Sequence, residues 1–145
     1  MIIRTYKEKD WPKLKELIME QWNDEYTYNA VDYDLLDPYR YRDEYVADAD
    51  NYKFFLAEDQ DGLCGFIFVS YGQKCINLEY IYVAQRKRRQ GVSLALMKQI
   101  EIYGSSIGKK EIIVHSVVKN DRSHELKQKL GYVFETTRYI ARKAL

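Results

Sequence analysis

The chain has 145 residues, 46% hydrophobic and 31% charged, with 23 Lys and Arg against 22 Asp and Glu. A length of that order suits one domain burying roughly 70% of its unfolded surface, so residues 1–145 are read as a single domain, and the near-zero net charge argues against a general nucleic-acid binder. No run of 18 apolar residues argues for a membrane span, and the start MIIRTYKEKD lacks the apolar core of a signal peptide, so the expected location is the cytoplasm.

Residues 1–6 read as a short strand. Asp10 then precedes Trp11 and Pro12, which suits a helix start, and Trp11, Leu14, Leu17, Ile18 and Trp22 recur at helical spacing, predicting a helix over about 10–23. Residues 24–45 mix carboxylates with tyrosines around Pro38 and are expected to form a loop and a second helix. YKFFLAED and LCGFIFVSY are strand runs on either side of a Gln60-Asp61-Gly62 turn, and CINLEYIYV is a third run after Gly72, which together predict an antiparallel meander. Cys64 and Cys75 lie in these apolar runs without CxxC spacing and read as buried free thiols. A helix over about 91–104 follows, then the β-rich run EIIVHSVV, a helix over about 121–130 closed by Gly131, and a last run YVFETTRYIARKAL that reads as β. The predicted order is β-α-α-β-β-β-α-β-α-β, an α/β domain with a mixed, mostly antiparallel sheet flanked by helices.

The stretch VAQRKRRQGVSLALM joins the strand ending at Val83 to the helix beginning near Gly91. A helix start carries unpaired N–H groups and the positive end of the macrodipole, so it is a natural anion site. Gly91 lets a phosphate approach the backbone, Ser93 is small and offers a hydroxyl, and Arg88 and Arg89 add charge at the rim. A solvated basic turn explains the charge equally well. GSSIGKK at 104–110 imitates a Walker A loop but has one spacer residue too few and Lys110 where Ser or Thr belongs.

The segment from Val83 through Gln85, Arg88, Gly91 and Ser93 resembles the signature of the GNAT superfamily of N-acetyltransferases, in which a strand ending in Val leads through Arg/Gln-x-x-Gly-x-Gly/Ala into a helix. NDRSHELKQKLGY, from Asn120 to Tyr132, is similar to the family's later Asn-x-x-Ala helix ending in Leu-Gly-Phe. The resemblance implies the GNAT fold and acetyl-CoA as cosubstrate. It implies main-chain contacts to the pyrophosphate over Arg88, Arg89, Gln90, Gly91, Val92 and Ser93. A strand splayed from its neighbour would meet the pantetheine arm with the main chain of Ile81 and Val83, and Asn120 would touch the same arm. Gln85 replaces a common Pro, and Ser93 the usual Gly or Ala; both look tolerable.

Acetyl transfer to an amine needs proton removal, because an alkyl amine of pKa about 10.4 is only about one part in 2,500 neutral at pH 7, a population cost of roughly 4.6 kcal/mol. Glu79 is the one carboxylate in the strand expected to run through the cleft, and its place resembles the LE-x-x-Y-V of family members that acetylate polyamines and aminoglycosides, where that Glu is a proposed base. Transfer from ammonium to an ordinary carboxylate is uphill, so a water relay and a buried carboxylate are expected. A structural or substrate-anchoring Glu79 is the other reading. Where many family members carry a Tyr that protonates the departing thiolate, this chain has Lys127, which either stabilises the thiolate, touches a phosphate, or faces solvent; Tyr132 is another candidate acid.

His115 and His124 have no carboxylate or Cys at metal-ligand spacing, so no metal is expected, and no Ser stands in G-x-S-x-G. Tyr26, Tyr28, Tyr33, Tyr39 and Tyr41, interleaved with Asp24, Glu25, Asp32, Asp34 and Asp37, form either an acceptor wall suited to a cation or an ordinary amphipathic surface. The expectation is direct transfer from acetyl-CoA to a primary amine of a small molecule or peptide in a ternary complex. The rivals are an acyl-CoA-binding sensor of the same fold and a basic interaction module using Arg86 to Arg89. Neither a nucleic-acid nor a membrane partner is expected, and pairing into a homodimer through the last strand stays open.

Overall fold

Two of the strand runs are apolar on both faces, and they form the middle of the sheet. In the computed structural model, which describes residues 1–23, 49–115, 128–134 and 140–145, the strands are β1 (Ile2–Thr5), β2 (Tyr52–Asp59), β3 (Gly62–Tyr71), β4 (Cys75–Val83), β5 (Glu111–His115), β6 (Val133–Phe134) and β7 (Ile140–Ala144). The helices are α1 (Trp11–Asn23) and α2 (Val92–Ser106), with 3-10 turns at Glu8–Asp10 and Gln85–Lys87. All seven strands form one sheet of order β1-β2-β3-β4-β5-β7-β6; β4 and β5 run parallel and every other pair is antiparallel.

Covering both faces of the sheet explains the continuous apolar runs of β2 and β3. Leu14, Leu17 and Ile18 of α1 pack with Phe54, Leu56, Phe66, Phe68 and Tyr82 on one face. Val92, Leu96, Met97 and Ile100 of α2 pack with Phe55, Ala57, Ile67, Val69, Ile76 and Leu78 on the other. Each such aliphatic side chain contributes about 1.5–3 kcal/mol of burial. Gly65 lets α2 come close, since a Cβ there would lie 3.0 Å from the Tyr82 carbonyl oxygen and 3.1 Å from Val92 Cγ1. The first turn of α2 is thereby seated directly on β3.

Within the described residues the predicted elements are present, and two expectations differ. The final run resolves into two strands, β6 and β7, because Val133 and Phe134 pair back on Arg142 and Ala141 while β7 inserts beside β5; sequence pattern does not say where a β run turns back. The helix expected within 24–45 lies outside the described residues, as does the Trp22 side chain, and of the helix expected at 121–130 only 128–130 are described, 128 and 129 as helical and 130 as a turn. Cys64 is buried as expected and burial pushes its thiol pKa up, but Cys75 is only half-buried.

Arg4 ties β1, β2 and the entry to α1 together. Its guanidinium donates to both Asp10 oxygens at 2.8 Å and, through Nη2, to Glu58 at 2.7 Å, while the Lys7 N–H donates to Asp10 Oδ2 at 2.8 Å. Asp10 is 7% exposed, and its bonds from Arg4 hold its carboxyl below the usual range against the opposing effect of burial. A depressed folded pKa means the unfolded state takes the proton first. This contribution is therefore complete above the unfolded value of about 3.9 and is lost as pH falls through the folded one. Asp10→Asn is expected to cost about 1–3 kcal/mol at pH 7, between exposed and fully buried pairs. In urea unfolding, the gap to the parent protein should narrow steadily below about pH 4; a gap independent of pH would contradict the assignment.

Candidate active site

A chain leaving a strand and entering a helix across a short loop needs unusual backbone angles, and here two occur within three residues. Arg89 has φ 62°, and Gly91, the N-cap of α2, has φ 81° and ψ 11°. The Gly91 carbonyl accepts the Ala95 N–H at 3.0 Å, no side chain caps the helix, and the first turn holds no acidic residue. The N–H groups of Val92, Ser93 and Leu94 precede the first intrahelical bond, so they and the dipole present an uncompensated positive end. A Cβ placed on Gly91 would meet nothing within 4 Å, so the backbone there is open to an approaching group. Gln90 and Arg89 are exposed, Ser93 is half-buried, and Val92 is buried against Gly65.

The four basic residues of the loop do not behave alike. Arg86 Nη2 donates to the Leu63 carbonyl at 2.8 Å, and Lys87 Nζ lies 2.8 Å from Asp59 and 3.2 Å from Asp61. Arg88 does not sit freely at the rim as expected: its Nε donates to the Val83 carbonyl at 3.2 Å, and its guanidinium lies over the Tyr82 ring, 5.5 Å from the centroid. A half-buried guanidinium takes the carbonyl and ring that the end of β4 offers it. Arg86 and Arg89 are the exposed residues of the four, and of these two Arg86 is held by the Leu63 carbonyl.

β4 leads to this helix start along an edge that β5 leaves. Pairing with β5 runs from Cys75 opposite Glu111 to Leu78 opposite Val114, and among the described residues no partner continues it over Glu79 to Val83. On the other side, the Ala84 N–H donates to the Cys64 carbonyl at 2.8 Å. Hydrogen-bonded residues alternate along an antiparallel pair, so Tyr82 shares that side and the backbone groups of Ile81 and Val83 face the edge left by β5. The Val83 carbonyl there is the one that Arg88 occupies.

Glu79 owes its place to a β-bulge. The β3–β4 register passes from Val69 opposite Leu78 to Phe68 opposite Tyr80, which makes Glu79 the extra residue. The bulge also resets alternation: Ile76 and Leu78 belong to the α2-side core, but Tyr80 and Tyr82 pack toward α1, leaving Ile81 and Val83 toward α2. The carboxylate expected to be buried is exposed, because an extra residue at the point where β5 departs has no neighbouring strand to cover it. Its Oε1 accepts a 2.6 Å bond from Ser70 Oγ. Sequence reading missed Ser70, whose only signal was its place in a strand run.

Tyr132 is 3% exposed in the α2-side core, with Lys143 over its ring at 5.7 Å. Its hydroxyl is closed to solvent and has no hydrogen-bond partner among the described residues; burial, aided by Glu101, pushes its pKa up. A phenol so placed is a poor proton donor to a cleft. Asn120, Lys127, His124 and the tyrosine-rich acidic segment lie outside the described residues, as does the side chain of His115. Among the described residues, no group of three or more His, Cys, Asp or Glu could hold a metal ion, and no helix is long and apolar enough to cross a membrane. A cavity of about 390 Å³ opens beside the start of α2, lined by Met1, Asp59, Gln60, Lys87, Gln90 and Val92. Another, of about 260 Å³, lies under α1, with Lys13, Glu16, Glu20, Asp61 and Arg86 on its walls.

Comparison with known proteins gives a consistent result. The model of the acetyltransferase (GNAT) family matches residues 11–132. The chain is similar to the PaiA N-acetyltransferase of Thermoplasma acidophilum, solved with coenzyme A, at 19% identity and TM-score 0.81 over 100% of both chains. It is similar to ribosomal-protein-alanine N-acetyltransferase of Brucella melitensis at 17% identity and TM-score 0.75, again over 100% of both chains. AAC(6')-Iy, in complex with the bisubstrate analogue CoA-S-monomethyl-acetylneamine, is 24% identical with TM-score 0.70, covering 94% of this chain and 92% of its own. At these identities the likeness is one of fold. No curated protein sequence matches.

Proposed function

The chain belongs to the acetyltransferase (GNAT) family, and from that premise we propose that it transfers the acetyl group of acetyl-CoA directly to a primary amine within a ternary complex. The observation that carries the reading is the junction of two features. An uncapped helix N-terminus with open space over Gly91 follows a strand along which, from Glu79 to Val83, no described strand continues the β4–β5 pairing. The first suits a pyrophosphate and the second an amide-bearing arm, which is the polarity of CoA. Coenzyme A in the PaiA structure and the CoA bisubstrate in the AAC(6')-Iy structure support that donor.

In this reading the N–H groups at the start of α2 hold the pyrophosphate, Arg89 and Gln90 flank it, and the backbone of Ile81 and Val83 aligns the pantetheine. The thioester then lies near Glu79. The amine nitrogen attacks the thioester carbonyl, the C–S bond breaks, and CoA leaves as a thiolate; the proton lost by the amine passes through water to Glu79. An exposed carboxylate suits that relay, since solvent reaches it. A thiol of pKa about 8.5 leaves at neutral pH without obligatory protonation, so the buried Tyr132 is not required. Lys127 and Asn120 are proposed on the resemblance alone, as a group beside the thiolate or a phosphate and as a contact to pantetheine. The acceptor is proposed to be cationic, on the carboxylates interleaved with the tyrosines between Asp24 and Tyr41. A small molecule and a peptide amine both fit this chemistry.

The test is release of free CoA thiol from acetyl-CoA across a panel of polyamines, aminoglycosides, peptides and amino acids. Amine-dependent release, with cationic amines best, is expected. Tight acetyl-CoA binding with no release above hydrolysis for any amine would favour a sensor of the same fold.

A further inference from the structure

We propose that the tip of the β2–β3 hairpin is a brace that holds the loop before α2 in its anion-receiving conformation, with Asp59 and Lys87 as positioning residues for the acyl-donor site. The inference rests on the reading of that site given above and goes beyond it. Asp59, the last residue of β2, uses its two carboxylate oxygens in two directions. Oδ1 accepts the Asp61 N–H at 2.8 Å and shapes the hairpin turn, while Oδ2 lies 2.8 Å from Lys87 Nζ in the loop. Lys87 also reaches Asp61 at 3.2 Å. The Lys87 and Asp59 side chains are only 20% and 16% exposed, and their contact holds the Asp59 carboxyl below its usual range and the Lys87 ammonium above its own.

Two further bonds join the same parts. β3 carries an extra residue at Cys64, between Leu63 opposite Glu58 and Gly65 opposite Ala57. The carbonyls of that irregular stretch accept from the loop: Cys64 from the Ala84 N–H and Leu63 from Arg86, both at 2.8 Å. The loop needs such support. It holds Arg89, with a full side chain, in the left-handed region, and for a residue other than glycine such a conformation persists only where surrounding contacts over-determine it. Arranging the amides before binding removes an ordering cost from the affinity for the donor.

Charge provides a sign test. On Coulomb's law alone, Asp59 opposes an anion beside it, so neutralising it should tighten acetyl-CoA binding, and that is the result expected if Lys87 were instead a direct phosphate ligand that Asp59 competes for. The brace predicts the opposite sign. Asp59→Asn, which keeps the oxygen that shapes the turn, should weaken acetyl-CoA about tenfold by calorimetry, at a temperature where circular dichroism shows the variant folded. Lys87→Met should do the same, Lys87→Arg should recover part of the loss, and the double variant should be no weaker than the worse single one. Amide hydrogen exchange over residues 89–94 in the free protein should quicken in both single variants. Should Lys87→Met fail to fold, Lys87→Gln takes its place. Tighter or unchanged binding by Asp59→Asn overturns the brace when Gly91→Asp still destroys affinity; if Gly91→Asp is also without effect, the donor-site reading itself is wrong.

Discussion

Gly91→Asp is expected to weaken acetyl-CoA binding by at least about 100-fold, roughly 2.7 kcal/mol. Two causes act together. The new side chain fills the open space over Gly91 through which a phosphate would approach the first-turn amides of α2. It also sets a negative charge within about 4–5 Å of where the pyrophosphate would lie, which at an effective dielectric of about 20 costs about 3–4 kcal/mol. The fold should tolerate the change, because a Cβ at Gly91 meets nothing within 4 Å and Asn or Asp enter the left-handed region more easily than other residues. Gly91→Asn separates the causes: it fills the same space without charge, and a loss of about tenfold is expected. Calorimetry of all three proteins, with thermal unfolding as the control for folding, decides the matter. A folded Gly91→Asp protein within threefold of the parent affinity would remove the phosphate from the start of α2.

Glu79→Gln is expected to lower kcat by 10²–10⁴-fold, the usual worth of a positioned base, with acetyl-CoA affinity unchanged. The substitution is close to isosteric, and the new amide oxygen still accepts the Ser70 hydroxyl that now meets Oε1 at 2.6 Å. Only the ability to take a proton is lost. The pH dependence carries its own sign. The neutral fraction of an amine of pKa about 10.4 rises about tenfold per pH unit below that value, so the need for a base shrinks and the variant should approach the parent as pH rises toward 10. A variant within threefold of the parent at pH 7 would make Glu79 an anchor for the acceptor instead, visible as a raised KM.

Much of the fold was legible because local patterns specify local elements. Leu14, Leu17 and Ile18 recur at helical spacing and are buried together. The runs around Gln60-Asp61-Gly62 read as a hairpin and are one. The helix expected over 91–104 is α2, Val92–Ser106, and Gly91 was recognisable as its special first residue because a small, positively charged helix entry is a property of neighbouring residues. The boundaries of these elements needed no knowledge of what they pack against.

What the chain's pattern did not contain was partnership at a distance. Arg86 to Arg89 form one basic run, yet three of the four are drawn back into the fold by a carbonyl 23 residues away, a carboxylate 26 residues away, and the Val83 carbonyl and Tyr82 ring at the end of β4. Adjacency in sequence made them look alike; only the folded hairpin offers each a different partner. Glu79 was identifiable as the one carboxylate of its strand run, but its exposure, its bond to Ser70 and the face it takes follow from a bulge, and a bulge exists only where two strands disagree in register. The same holds for the insertion of β7 between β5 and β6. Residue spacing determines which elements form and where they begin; which edge, charge or carbonyl each one meets is decided when hydrogen bonds and ion pairs between remote segments compete, and that competition takes place only in the tertiary structure.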